Sequence, residues 1–599
     1  MGLILQMKTT AIVLLVTMIG CSGGAQDDPL FATRRARLLD VVSREQEKSP
    51  YVIASKIHKG VEIDRAFILL DSLTYDKGIG GMFYAYSLIG TYLYTQDALP
   101  DSLKQKVRLA YQNRMMYRGD TENHWVMYYT GLYLAAQTWP NEPGETWFNG
   151  KSSEENLREA AGWLNEWFRI SSTIGQGEFD SPTYFITFVT PMIALYEFAA
   201  DPVMKAKAQL MLDLLFVDFA AEHLEGNYGG AHSRDYPEDI INPLGAPSTM
   251  WAWLYFGEPR FEQWEETRFR PRNRGGWEAV FGALSSYRLP AIIRSIATDR
   301  SEPYVHTETK RVRNVIRFGK EKNPPAYKYT YVTKDYVLGS LHGGILQPIQ
   351  QHTWDVTLAS RKPYNTIFTL HPYYSGKELG MFFPEELKFL SDEVDRYHLV
   401  YTNPGKWNSS SPYEQTFQHR NTLLILYKIE KGVMQPHIDG FFPKNLDERF
   451  VHSKGWVFCR LRDTYVGLYF IKPGEWTEEP VNWRWRSPAL KNGVIVEVGS
   501  ESEDESFQSF QNKVLSAKID LKGFDKETSI RYVNRHGMEM RFSFDGPRIL
   551  NGKQINLTDY QFFDGPFVQS VRGSGIITIR YKNQTRVLDF NKATIQESH

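Results

Sequence analysis

Tyr184–Ala200 reads YFITFVTPMIALYEFAA, an almost unbroken apolar run. Such a run fits a helix buried on several sides rather than one with a single wet face. Its neighbours differ. Glu154–Arg169 is amphipathic, with Leu157, Ala161, Leu164 and Phe168 on one face, and Lys205–Ala221 is amphipathic again. Moving outward, Ala85-Leu88-Ile89-Tyr92-Leu93 and Trp125-Tyr128-Tyr129-Leu132-Leu134-Ala135 carry helical apolar spacing, and Met250–Phe256 is short and aromatic. Apolar helices near 80–95, 123–138 and 184–200 thus alternate with more polar ones near 102–116, 154–169 and 203–222. Helix pairs recurring at roughly 40–60 residues predict a ring of hairpins with the apolar helices inside. A plain stack of hairpins is the alternative.

Beyond residue 310 the period changes. Tyr327–Thr333, Thr422–Tyr427, Tyr465–Phe470, Gly493–Val498 and Gly575–Arg580 are short, β-branched or aromatic runs punctuated by Gly, Pro and Asn. They predict a large antiparallel sandwich, or several stacked sheets. The change of pattern places a linker within 297–325, around Arg311, Arg313, Arg317 and Asn323-Pro324-Pro325.

The chain has 599 residues, too many for one ordinary core. Its 69 Lys+Arg against 70 Asp+Glu argue against nucleic acid as a partner. With 42% hydrophobic residues it is no disordered acidic chain. Aromatic residues reach 14%, enough to fill a large core or to line a cleft. Residues 1–20 read as an export signal, with Lys8 ahead of the apolar Ala11–Ile19 run. The run and Gly20-Cys21 resemble a bacterial lipoprotein signal with Cys21 lipidated, although Met18 stands where Leu is usual. Ordinary secretion with an incidental Cys21 is the alternative. Either way the mature chain is expected to be exported, and to be soluble or tethered only by the lipid. The other cysteine, Cys459, lies in an apolar run and reads as a core residue.

Three junctions of the helical half concentrate polar chemistry. In Thr121-Glu122-Asn123-His124-Trp125, Thr121 or Asp120 caps a helix and puts Asn123 and His124 in its first turn. In Gly175–Tyr184, Pro182 suits a helix start, which places Tyr184 on the first turn. Asn227–Tyr236 sets His232, Arg234, Asp235 and Tyr236 beside Gly229-Gly230, the composition of a ligand-facing loop. Inner helices of a ring start on one rim, so the three segments converge there. Each also has a structural reading: a cap, a core tyrosine, a salt-bridged turn.

Together these features resemble the alginate lyase and heparinase II/III-like polysaccharide lyases. Asn123-His124 is similar to their Asn-His pair, and Gly177–Tyr184 resembles the segment that delivers their catalytic tyrosine. The resemblance implies an α+β multidomain chain: a signal over 1–20, a tether over 21–30, an (α/α) toroid over 31–305 and an antiparallel β-sandwich over 306–599. It also implies β-elimination on a uronic-acid-containing polysaccharide. That reaction removes a poorly acidic C5 proton beside a carboxylate, so the developing charge must be stabilised. Asn123 is the expected carboxylate neutraliser, Tyr184 the base and acid, and His124 or His232 a second base or neutraliser. Arg234 would bind a uronate carboxylate through its planar fork. Tyr236 competes for the role of Tyr184. Trp125, Glu178, Tyr228, Trp251 and His352 are expected to line the substrate cleft.

No catalytic metal is expected. In the β half, His342, His352 and Asp355 could supply three ligands to a structural divalent ion; packing or interdomain hydrogen bonding is the alternative. Two other functions compete. A glycoside hydrolase could use Glu122, Glu178 and Asp180, with an inverting pair of carboxyls roughly 6.5–9.5 Å apart. A non-catalytic glycan-binding lipoprotein would keep the aromatic cleft without the chemistry.

Overall fold

The computed structural model describes residues 28–75, 80–119, 121–259, 276–311, 325–342, 351–360, 362–374 and 402–598. The expected signal, Cys21 and most of the tether lie outside them. A helical half precedes a large antiparallel β half, as the two periodicities require. Helix Pro50–Lys59 touches Met82–Thr95, which touches Glu122–Thr138, then Phe185–Phe198, then Ala279–Leu284, and this last returns to Pro50–Lys59. The apolar helices therefore close an inner ring. Each of the first four packs on the helix that follows it: Ile63–Thr74, Asp101–Asn113, Ser153–Ile174 and Pro202–Glu222. The inner wall is tight. A Cβ added at Gly131 would lie 2.8 Å from the Tyr86 backbone nitrogen, so only glycine admits this approach.

Helix starts follow their capping residues. Thr121 accepts a hydrogen bond from the His124 backbone N–H, and Ser152 with Glu155 forms a complete capping box. One expectation is corrected. The amphipathic pattern of Lys205–Ala221 predicts an outer helix, yet in helix Pro202–Glu222 every residue from Leu210 to Glu222 is buried. The chain's last strands return to cover it: Val568–Ser570, Gln584–Asp589 and Thr594–Ser598 all touch it. Val568, Ile577, Ile579 and Leu588 consequently join the helical core. Arg586 of this tail reaches Asp213 at 2.5 Å, a carboxylate stranded on an otherwise apolar face.

The β half is a stack of sheets. The largest has thirteen strands, all paired antiparallel. Tyr304–Lys310 lies within it, flanked on one side by Ala326–Val332 and on the other by Phe563–Asp564. The β region thus begins at Tyr304, inside the expected linker. A six-stranded sheet packs on the large one, and a five-stranded sheet with helix Phe507–Leu515 packs on the six-stranded one. Strand Thr422–Lys428 shows why its run is unbroken. Leu423, Ile425 and Tyr427 face one core while Leu424 and Leu426 face the next, so both faces of the strand are dry. Cys459 is buried and forms no disulfide among the described residues, in strand Trp456–Leu461 of the same sheet.

Candidate active site between the helices and the large sheet

The Thr121 cap fixes Asn123 at the second position of its helix. The Asn123 side-chain amide donates to Thr121 Oγ1 at 2.9 Å and to the Glu178 carboxylate, which also accepts from the Asn123 backbone N–H at 3.0 Å. Glu178 belongs to the loop between helices Ser153–Ile174 and Phe185–Phe198. That loop is held from behind by Glu122, whose carboxylate accepts from the backbone N–H of Gly177 at 2.8 Å and from Trp167 Nε1 at 2.9 Å, and pairs with Arg311.

The third segment docks through its glycines. A Cβ at Gly339, on strand Tyr336–His342, would lie 2.6 Å from the Gly230 Cα, so the Gly229-Gly230 pair lets this loop lie directly on the large sheet. Ser233 donates its backbone N–H to Phe179, and the Ser181 hydroxyl donates to the Arg234 carbonyl at 2.9 Å. The two loops are thereby locked together. Arg234 adopts a left-handed φ of 60°. Its Nε lies 3.1 Å from Glu178 Oε1, and its guanidinium lies over the Tyr184 ring at 4.5 Å. The Tyr184 hydroxyl is 2.9 Å from that of Tyr236. Asn123, Glu178, Arg234, Tyr184 and Tyr236 therefore form one continuous chain of contacts drawn from three segments. Tyr184 occupies the cap position of its helix, one residue before the expected first turn, with its N–H held by Ser181 Oγ at 2.9 Å.

His232 points to the β half. It pairs with His352 across a short antiparallel bridge, and the two imidazoles stack with centroids 6.3 Å apart. His352 Nε2 lies 3.2 Å from Asp355 Oδ2. The strand segment around His352 thus completes one wall of the site. His124 is half-buried with its ring edge toward Phe83. Trp125 is half-buried too, its indole N–H donating to Gly119 O at 2.9 Å beneath the Arg118 guanidinium.

Two expected cleft residues are core residues instead. Trp251 is 0% exposed and stacks on Tyr255 among the inner helices, which leaves it no face for a sugar. Tyr228 is 2% exposed, stacks on Phe219 at 4.3 Å and donates its hydroxyl to Asp180. Both runs are aromatic, but the aromaticity serves packing.

Burial governs the electrostatics. It pushes the Tyr184 phenol up, against the opposing pull of Arg234, so the group is protonated at neutral pH. His232 is held well below the ordinary histidine range by burial and by the charge of Lys328. Burial and the neighbouring Asp239 raise Asp235, whose Oδ1 accepts from Thr183 Oγ1 at 2.8 Å. Buried polar atoms are nearly always partnered in native proteins. Among the described residues, however, Asn123 Oδ1, Gln351 Oε1 and Asn408 Oδ1 are buried with no partner. Gln351 adjoins His352, and the Asn408 amide donates to the Asp235 carbonyl, so the three atoms border the same junction.

Sequence reasoning missed the ionic cluster directly behind the loop. Lys310 Nζ lies 2.9 Å from Asp180, 2.7 Å from Asp218 and 2.7 Å from Glu308. Lys328 Nζ lies 2.6 Å from Asp180 and 3.4 Å from Glu308, and pairs with Glu222. Burial alone would lower Lys310, but its three carboxylates hold it well above the usual lysine value. Glu222 is pushed up to about 7, burial outweighing the pull of Lys328. The signal was present in Asp218 and Glu222, four residues apart on an apolar helix and so on one face.

Two sets of ligand-type atoms converge here, Asp218/His306/Glu308 and Asp180/Glu222/Glu308. Lysine ammonium groups already bridge these carboxylates, which removes the electrostatic need for a metal ion. The expected metal set does not assemble. His342 stacks on Tyr329 and accepts from the Gln418 backbone N–H, toward the six-stranded sheet, whereas His352 faces His232. His342 lies on a strand of the large sheet, whereas His352 lies in a separate two-stranded pairing with His232. No protein-family model matches the chain, and comparison with curated proteins finds no relative.

Proposed function

We propose that the protein is a polysaccharide lyase that cleaves a uronic-acid-containing polysaccharide by β-elimination at this junction. The observation that carries the reading is the Tyr184 phenol, 2.9 Å from Tyr236 and beneath Arg234, with Asn123 joined to them through Glu178. In the proposed reaction a base takes the C5 proton, its electron pair forms the C4–C5 double bond, and the C4–O4 bond breaks as O4 gains a proton. Tyr184, kept protonated by burial, enters as the acid for O4 and is reprotonated from solvent through the adjacent Tyr236 phenol. His232, held neutral, is in the form that accepts the C5 proton. Arg234 stabilises the charge that develops on the substrate carboxylate, while Asn123, whose amide hydrogens serve Thr121 and Glu178, positions Glu178 beside Arg234. Glu178 holds those two at fixed spacing.

The glycoside hydrolase reading needs two available carboxyls among Glu122, Glu178 and Asp180. Each of the three is already engaged in an ion pair, with Arg311, Arg234 or the two lysines, which weighs against it. The substrate of this reading is an anionic polysaccharide or oligosaccharide. The exported chain would be tethered through lipidated Cys21 on the periplasmic or cell-surface side of a bacterial membrane. Among the described residues no helix is long and apolar enough to cross a membrane.

The test is a panel of uronate polysaccharides assayed for the ultraviolet absorbance of the unsaturated product. Tyr184→Phe should lower that rate at least about 10²-fold while the fold persists. New reducing ends without the chromophore would sink the lyase reading in favour of hydrolysis. Binding with neither signal would favour the non-catalytic protein. Release of the chain from membranes by Cys21→Ser tests the tether.

A further inference from the structure

A polar cavity lies on the face of the large sheet away from the candidate active site. Strand Ala326–Val332 has two working faces. Lys328 points to the ionic cluster under the helices, whereas Tyr329 and Tyr331 point toward the six-stranded sheet. Beside Tyr331 a cavity of about 590 Å³ opens between the three stacked sheets. That volume is in the range of small-molecule sites, roughly 300–1,000 Å³. It shares no residue with the candidate active site.

Each wall contributes a different polar group. The two-residue turn between strands Glu414–His419 and Thr422–Lys428 supplies Arg420 and Asn421, with His419 at its edge. The turn after Ser529–Val533 supplies His536, whose ring lies 3.4 Å from the Asn421 amide. Glu503 closes the third side and accepts from the Tyr336 hydroxyl at 2.9 Å. Arg420 is the notable member. It takes a left-handed φ of 48°, where glycine or asparagine is the unstrained choice. Its backbone N–H is fixed by the Tyr329 hydroxyl at 3.0 Å. Its guanidinium has no carboxylate partner among the described residues, although Glu503 lines the same cavity.

We infer that this cavity binds a single acidic sugar residue. A guanidinium suits a carboxylate. Glu503, the Asn421 amide and the two imidazoles offer both acceptors and donors, which a bare anion would not use and a ring of hydroxyls would. Tyr331 supplies an aromatic wall for the apolar face of a pyranose. The inference does not depend on the lyase reading, since a binding pocket here needs no chemistry at the other site.

The experiment titrates the full chain with D-glucuronate, D-glucose and acetate, read by calorimetry and saturation-transfer NMR. Glucuronate should bind, with glucose and acetate weaker by about tenfold or more. Arg420→Ala should weaken glucuronate at least about tenfold and His536→Ala should weaken it too, with melting midpoints unchanged. Arg420→Gly, which relieves the left-handed φ, is the control should the alanine variant fold poorly. Arg234→Ala, in the candidate active site, should keep the binding. No binding of glucuronate overturns the inference. So does equal binding of glucose or acetate, an affinity indifferent to Arg420, or one that is lost with Arg234.

Discussion

Lys328→Met isolates the ionic cluster behind the candidate-site loop. Lys328 Nζ serves Asp180 at 2.6 Å, Glu308 at 3.4 Å and Glu222, and all four side chains are at most 1% exposed. Methionine keeps the stem and removes the charge. Removing one partner of a buried ion pair costs about 3–5 kcal/mol, because the remaining charge stays buried and uncompensated. Asp180 and Glu308 keep Lys310, so the loss falls chiefly on Glu222. Proton uptake limits the loss. The Glu222 carboxyl already sits near 7, well above its ordinary 4.5. With its folded value raised, the folded protein holds a proton that the unfolded chain releases, so stability falls as pH rises from about 4.5 through 7. Losing Lys328 raises the cluster's carboxyls further, so the penalty should be larger at pH 8 than at pH 5.5. Hydrogen exchange of peptides spanning 177–185 and 226–235 reads this locally. About 3–5 kcal/mol corresponds to roughly two to four orders of magnitude in protection at the alkaline pH. Protection within about threefold of the parent at both pH values would refute the reasoning, and so would a larger loss at the acid pH.

Arg586→Met leaves Asp213 buried without its cation, and should cost about 3–5 kcal/mol by releasing the C-terminal strands from helix Pro202–Glu222; limited proteolysis near 584–598 should accelerate, and an unchanged rate counts against the tail as a cover. Trp251→Ala should cost about 3–5 kcal/mol in thermal unfolding as a core cavity, while substrate affinity per folded molecule stays the same. Glu414 is pushed up to about 8 by burial, so the folded chain keeps a proton there and loses stability as pH rises from about 4.5 through 8. Glu414→Gln should therefore flatten the fall in melting midpoint between pH 7 and 9, and an unaltered slope would assign that fall to other groups.

Much of the fold was legible because it rests on local periods. The apolar run 184–200 could satisfy its backbone and side chains together only as a buried helix. The doubly apolar run 422–428 could do so only between two layers. Thr121 announced its helix start through chemistry confined to one turn. The site was legible in part for the same reason: helix starts gather on one rim, and this brought Asn123, Tyr184 and Arg234 within reach of one another.

The rest depended on partners far along the chain. Composition gives Trp251 and Tyr228 the same aromatic rings as a sugar-stacking residue, and only the layers packed around them decide that they are core. His342 and His352 are ten residues apart in sequence, but they join different sheets and different partners, Tyr329 and His232. Asp180 finds its cations 130 and 148 residues later, and Asp213 finds Arg586 373 residues later. A charged side chain in an apolar run marks a debt of desolvation without naming the creditor. The sequence by itself determined which segments are helix, which are strand, and where polar groups would be forced together. The tertiary structure alone decided which charges neutralise one another, because Coulomb attraction in a dry interior depends on distance and not on order along the chain.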